Sequence, residues 1–337
     1  MSDTRPIIGI TMGDAAGIGP EIIAKCLLES QVYEVCRPMV IGDGGIMARV
    51  LEWMENPPGI HEVTGPEEGF YRVGTIDLLD LKNLDVYRIT PGILSEDAGG
   101  AAVEYVRKAV DLALAGRIGA TVSAPLNKEA MNRAGFHYQG HTELIGDLCG
   151  ITRTGLVLIS GPVHLVYGTG HVSLRKACDL VRHELVLERI HFIHDALVEL
   201  GLKQPRIAVC ALNPHAGEGG FLGTEEKDHI IPAIEMARRA GIEAIGPVTG
   251  ETVWLRVKKR EFDGVLSMTH DQGNMGIKLL GFGPVITFQA GLPIIRTSVA
   301  HGTAFDIAGT LSADHIILKA SILFAADLIR RRENPDG

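Results

Sequence analysis

Short apolar runs that stop at glycine, proline or a polar cluster alternate along this chain with longer stretches whose apolar residues recur at helical spacing. The first run predicts a strand over 7–12, then a turn through Gly13-Asp14-Ala15-Ala16-Gly17-Ile18-Gly19 and a helix from Pro20 to about residue 28. Proline suits a first helical turn because its missing N–H would have had no partner there. The same reading gives strand 38–41, helix 45–53, an exposed excursion over 57–68 and strand 75–81. A helix over 97–115 keeps Val103, Val106, Val110 and Ala113 on one face, and strand 120–124 follows it. Residues 173–202 form the longest helical pattern, with Leu187, Ile190, Ile193, Leu197 and Leu200 as its core stripe. A helix over about 223–241, strand 263–268, strand-like runs 284–288 and 293–298 and a closing helix 316–331 complete the series. Strands alternating with helices throughout, with no fixed-period repeat, mean an α/β architecture.

Composition narrows the class. A chain of 337 residues suits two compact lobes or one large α/β domain, and 46% hydrophobic with 22% charged residues is globular. The net charge of −9 argues against a nucleic-acid surface, which needs clustered Lys and Arg. The longest apolar stretch, 316–329, is interrupted by Lys319 and Asp327 and falls short of a membrane span. The first six residues show no apolar signal core. Five cysteines, none in a C-x-x-C pair, read as reduced, mostly buried thiols. The expectation is a soluble cytoplasmic protein.

Candidate chemistry gathers where apolar runs end. His171 closes Tyr167-Gly168-Thr169-Gly170-His171, and His215 lies in Asn213-Pro214-His215-Ala216-Gly217-Glu218-Gly219-Gly220. His270 lies in Ser267-Met268-Thr269-His270-Asp271-Gln272-Gly273. One such histidine alone would read as a satisfied polar residue. Three of them, each just past a buried run, form a three-nitrogen metal site with an open position for substrate. His141 and Thr142 open a helix, where free N–H groups suit an anion; an ordinary N-cap is the competing reading. His191 and His194, spaced i, i+3 and flanked by core-stripe residues, lack a carboxylate motif and read as solvated or interfacial. The turn at 13–19 does not meet the G-x-G-x-x-G dinucleotide fingerprint.

Two stretches resemble the decarboxylating dehydrogenases of isocitrate and isopropylmalate: Gly13-Asp14 through Gly17-Ile18-Gly19-Pro20-Glu21, and His301-Gly302-Thr303-Ala304 through Asp306-Ile307-Ala308-Gly309. The interior is more specific. Ala124-Pro125-Leu126-Asn127-Lys128, Gly140-His141-Thr142-Glu143, Asn213 to Glu218, His270-Asp271-Gln272-Gly273 and Ile295-Arg296-Thr297-Ser298 together resemble the 4-hydroxythreonine-4-phosphate dehydrogenase family of vitamin B6 synthesis. That resemblance runs from about Ile8 to Ala325.

The resemblance implies a two-lobed architecture like that of isocitrate and isopropylmalate dehydrogenases, with a central cleft. Residues 1–130 with 286–337 would form the cofactor lobe, and 131–285 the metal, substrate and dimerisation lobe. It also implies a homodimer whose active site is shared across the interface. A divalent metal, commonly zinc, with magnesium, manganese or cobalt as others, would be held by His171, His215 and His270 drawn from both subunits. His141, Thr142, Lys278 and Arg296 match the family's substrate residues, with Thr287 where an asparagine and Glu251 where an aspartate is usual. Further departures are Thr269 for a tyrosine, Asn274-Met275-Gly276, and Ala300 for an aspartate. His301, Gly302, Thr303 and Asp306 would hold the adenosine end of NAD or NADP, NAD being favoured on family grounds.

By this resemblance the reaction is oxidation of a C3 hydroxyl with Lys278 accepting the proton, then decarboxylation of the β-keto acid. The substrate would be 4-hydroxythreonine 4-phosphate, 4-phospho-D-threonate or 4-phospho-D-erythronate. A cis-dihydrodiol dehydrogenase of the same family is the alternative. A metal-dependent lyase or hydrolase without nicotinamide is a more distant one, against which the His301-Gly302-Thr303-Ala304 loop speaks.

Overall fold

The computed structural model describes residues 3–334. Its strands are β1 (Ile7–Thr11), β2 (Arg37–Gly42), β3 (Gly59–Val63), β4 (Thr75–Asp80), β5 (Ala120–Ser123) and β6 (Gly155–Ser160). They continue with β7 (Val163–Tyr167), β8 (Ile207–Cys210), β9 (Ala244–Val248), β10 (Gly264–Ser267), β11 (Ile286–Ala290) and β12 (Ile295–Val299). The chain divides into two compact units, one from Met1–Gly155 with Ile286–Gly337 and one from Leu156–Val285.

In the first unit the strands run in the order β3-β4-β2-β1-β5-β12-β11, all parallel except the β11–β12 pair. Strands covered on both faces need continuous apolar runs, and Ile8 and Ile10 of β1, Val40 and Ile41 of β2 and Val122 of β5 are fully buried. The closing helix Ile316–Glu333 covers one face, where Thr297 donates its hydroxyl to the Ser321 carbonyl. The helix Glu96–Leu114, capped by the Ser95 hydroxyl on Ala98 N–H, packs Val103, Val106 and Val110 against Met131, Leu144 and Ile145. That core draws 131–155 into the first unit. The boundary therefore falls at 155, where the sequence reading had placed it at 130, and His141 and Thr142 go with the first unit.

The second unit orders its strands β6-β7-β10-β8-β9, with β6 antiparallel to β7 and the others parallel. Here the pattern misled in three places. The helical stretch over 173–202 is two helices, Leu174–Leu180 and His183–Glu199, because Val181 turns extended to bury its side chain without a glycine or proline to mark the break. The second of them does bury Ile190, Ile193 and Leu197, but Val186 rather than Leu187. Strand β9 went unread because Gly246 and Pro247 interrupt it, which an edge strand tolerates. Strand β6 was not read either. In the first unit, the expected excursion over 57–68 contains β3, the edge strand beside β4.

Candidate active site

In the second unit the strand register explains how three distant histidines acquire related positions. Ser267 of β10 pairs with Tyr167 of β7, and Leu266 pairs with Val209 of β8, so the three adjacent parallel strands end level. His171, His270 and His215 follow those ends by four, three and five residues. Ligands of open α/β sheets bind at such carboxyl ends. Beyond the strands the loops are tied together: Gly168 and Thr169 N–H donate to the Ser267 and Met268 carbonyls at 2.6 and 3.0 Å. The Gln272 amide donates to the Ala211 carbonyl and accepts from Met268 N–H, both at 2.8 Å, which joins the β8 and β10 ends.

The His171 and His270 rings lie 5.2 Å apart between centroids. His270 sits at the start of helix His270–Leu279, with Nδ1 2.8 Å from an Asp271 carboxylate oxygen and Nε2 2.9 Å from the Asn274 amide nitrogen. A carboxylate on Nδ1 fixes the tautomer whose Nε2 lone pair can bind a metal. His215 does not join them: among the described residues no group of three or more His, Cys, Asp or Glu gathers as a metal site within this chain. It is exposed, 3.9 Å from the Glu251 carboxylate. Two of the three expected ligands are thus brought together and the third is held apart.

His215 also starts an unusual turn. His215, Ala216, Gly217, Glu218 and Gly219 all have positive φ, from 44° to 75°. Three of these are not glycine, and a left-handed conformation costs an L-residue roughly 1–2 kcal/mol. Strain of this kind persists only where surrounding structure fixes it.

Lys278 lies two turns along the helix from His270, exposed and without an ion-pair partner among the described residues. A groove of about 970 Å³ runs beside His171 and His270, walled by Val172, Leu174, Trp254 and Met275. Leu174, Met275 and Leu279 are 69%, 62% and 84% exposed, a large apolar face around charged chemistry.

The first unit carries a polar face inside a buried sheet. Thr11 pairs with Ser123, Ser123 with Ser298 and Ser298 with Thr287, so these side chains share one face of β1, β5, β12 and β11. By the same alternation Thr121, Arg296 and Gln289 lie on that face, opposite to Thr297 and the closing helix. Thr11 Oγ1, Thr121 Oγ1, Gln289 Oε1 and Arg296 Nε are all buried and lack a hydrogen-bond partner among the described residues. Arg296 is only 2% exposed, no carboxylate among the described residues pairs with it, and burial pulls its guanidinium down to about 9. Native proteins pair such groups, so four orphans on one face mark a place for a polar ligand.

Helix His141–Leu148 meets this region. Its N-cap is Gly140, at φ 149°, with no side-chain cap, so His141 and Thr142 are first-turn residues and the ordinary N-cap reading does not hold. The Gln289 amide donates to the Thr142 carbonyl at 2.8 Å. His141 Nε2 is another buried orphan, and burial, then the neighbouring Arg296 charge, holds the imidazole well below its ordinary value of 6.5. Native His141 is therefore neutral where the unfolded chain is protonated, and stability falls as pH drops below 6.5. His141→Gln is expected to flatten that part of a Tm-versus-pH curve between pH 5 and 7, by up to about 1.4 kcal/mol per pH unit. An unchanged slope would contradict the assignment.

Thr287, expected to face substrate, is buried and donates its hydroxyl to the Ser298 carbonyl at 3.2 Å. Gln289 and Thr121 stand outside every motif noted in the sequence. Their signal was available, as polar residues alternating two apart in otherwise apolar strands: Thr121-x-Ser123 and Thr287-x-Gln289.

The loop from His301 onward is fixed to the opening turn. Ile18 N–H donates to the Thr303 carbonyl at 3.0 Å, and a Cβ on Gly17 would lie 2.9 Å from that of Thr303, so only glycine fits. Buried Glu21 accepts from Gly309 and Leu311 N–H at 2.5 and 2.8 Å. Gly302 and Asp306 stay exposed, with His301 and Thr303 half-buried.

A family model described as pyridoxal phosphate biosynthetic protein PdxA matches residues 34–325. A Clostridium botulinum protein provisionally named D-threonate 4-phosphate dehydrogenase is 41% identical over 326 residues, 97% of this chain and 98% of its own. A 4-hydroxythreonine-4-phosphate dehydrogenase of Desulforapulum autotrophicum is 41% identical over 327 residues, covering 97% of this chain and 96% of its own. The crystal structure of 4-hydroxythreonine-4-phosphate dehydrogenase from Klebsiella pneumoniae superposes with TM-score 0.89 at 38% identity, over 98% of this chain and 99% of that one.

Proposed function

Because the chain belongs to the PdxA family of dehydrogenases, we propose that it oxidises the C3 hydroxyl of a 4-phosphorylated hydroxy acid with NAD and then decarboxylates the β-keto product. The observation that carries this reading is the buried Arg296 guanidinium, without a counter-charge among the described residues, beside the unpartnered Nε2 of His141. A buried cation demands an anion, and a planar guanidinium binds carboxylate or phosphate through paired hydrogen bonds.

Arg296 would hold an anionic end of the substrate, and neutral His141 would donate a hydrogen bond to it. Thr121 and Gln289, the latter an unused acceptor, would orient its hydroxyl groups. Lys278, on the helix that begins at His270, would take up the proton released on oxidation. Its ammonium then stabilises the enolate left by decarboxylation and returns a proton to carbon.

The donor set suits a divalent metal, zinc first, with His171, His215 and His270 as ligands. When bound it would lower the pKa of the hydroxyl to be oxidised. That His171 and His270 approach while His215 stands apart supports a homodimer in which the ligand set is completed across the subunit interface. The exposed apolar face around Leu174, Met275 and Leu279 supports the same assembly. NAD would rest its adenosine end on the exposed backbone near Gly302, with His301, Thr303 and Asp306 beside it; it would accept the hydride.

A hydroxy acid is favoured over the amino acid because Thr287 replaces the family's asparagine and commits its hydroxyl to the sheet. The test is NADH absorbance with NAD and zinc, magnesium or manganese, comparing 4-phospho-D-threonate, 4-phospho-D-erythronate and 4-hydroxythreonine 4-phosphate. Turnover is expected to be fastest with a hydroxy acid. Preference for the amino substrate would assign the protein to vitamin B6 synthesis, and silence with all three would bring the dihydrodiol reading forward.

A further inference from the structure

The left-handed turn that carries His215 springs from Leu212 and Asn213, and one buried carboxylate grips both. Glu226 is 2% exposed and has no Lys or Arg partner among the described residues. Its Oε1 accepts from Leu212 N–H at 2.8 Å and Asn213 N–H at 2.7 Å, and its Oε2 accepts from the Asn213 side-chain amide at 2.9 Å. Such a carboxylate is bound by neutral donors on the very peptide units that precede the turn.

Two glycines make room for it. A Cβ on Gly217, within the turn, would stand 2.7 Å from Glu226 Oε2, and one on Gly223 would stand 2.5 Å from the Asn213 side-chain nitrogen. The return of the chain is tied as well, by Leu222 N–H to the Gly217 carbonyl at 3.1 Å. Glu226 itself opens a π-helical turn, Glu226–Ile230, a geometry that is rare and concentrated at functional sites.

We propose that Glu226 is the positioning residue of His215. Its carboxylate fixes the direction in which the chain leaves β8, holds the left-handed turn against relaxation, and so sets where the exposed imidazole points. The inference rests on the reading of His215 as a metal ligand. It adds a residue that contacts neither substrate nor metal and acts only through that histidine.

The experiment is a Co²⁺ titration of the metal-stripped full-length protein, followed by calorimetry and by visible absorption, whose intensity reports coordination geometry. Wild type, His215→Ala, Glu226→Gln and Glu226→Asp are compared, each with its Tm. Glu226→Gln keeps the acceptor for both backbone N–H groups but opposes its amide to that of Asn213. It is expected to weaken Co²⁺ binding about 10–100-fold, the usual effect of removing a group that orients a ligand, and to alter the absorption band. Glu226→Asp, too short to reach both peptides, gives the same result should the glutamine variant not fold. A lower Tm with unchanged Co²⁺ affinity and spectrum would make Glu226 a purely structural residue and overturn the inference. If His215→Ala binds Co²⁺ as wild type does, the ligand reading itself fails, and the positioning role with it.

Discussion

Replacing Arg296 with methionine is expected to leave the protein more stable and nearly inactive. A buried guanidinium without a carboxylate is an uncompensated charge, and exchanging it for an apolar side chain of similar length is expected to stabilise by about 1–4 kcal/mol. Losing the same group should lower kcat/KM about 10²–10³-fold, the usual effect of truncating one side of a buried charged hydrogen bond. The two effects run in opposite directions because the charge is held ready for a ligand, as at functional sites generally. The pH dependence follows from the same burial. Burial pulls the native Arg296 guanidinium down to about 9 while the unfolded chain keeps its ordinary, higher value, so over the interval between them stability rises with pH. Substrate affinity should fall over the start of the interval, and both trends should vanish in Arg296→Met. Thermal unfolding and initial rates between pH 7 and 10 measure this. A variant that is both destabilised and fully active would sink the anion-grip reading.

His270→Ala is expected to lose the divalent metal proposed above and at least about 10³-fold in turnover, several kcal/mol of transition-state stabilisation. Its effect on Tm should be small in the metal-free protein. The ring is half-exposed at a helix start, and β10 beneath it is anchored independently by Gln272. Elemental analysis after dialysis, with rates at saturating substrate, makes the comparison. Full metal content with full turnover would remove His270, and the three-histidine scheme, from the mechanism.

The local elements were legible where one physical signal dominated. Continuous apolar runs such as Ile7 to Ile10 and Val265-Leu266 announced buried parallel strands, and Val103, Val106 and Val110 at helical spacing announced the helix Glu96–Leu114. They were illegible where a neighbour decides. Val181 is extended because its side chain is buried there, and β9 survives Gly246 and Pro247 because an edge strand needs fewer of its backbone donors paired.

The site divides along the same line. Sequence alone determined that His171, His215 and His270 each follow a buried run, since an apolar stretch ending in glycine and polar residues has a strand's carboxyl end as its natural place. It also supplied His141, as a residue opening a helix, and Arg296, through resemblance. Only the tertiary structure decided that β7, β10 and β8 are neighbours and end level, because register is set by pairings between residues far apart in the chain. Only the tertiary structure showed that, among the described residues, Arg296 has no counter-charge and the Thr11 and Thr121 hydroxyls and the Gln289 amide oxygen have no hydrogen-bond partner on its face of the sheet. A chain's residues declare what they can bond to, but whether those bonds are already made depends on what the fold brings beside them.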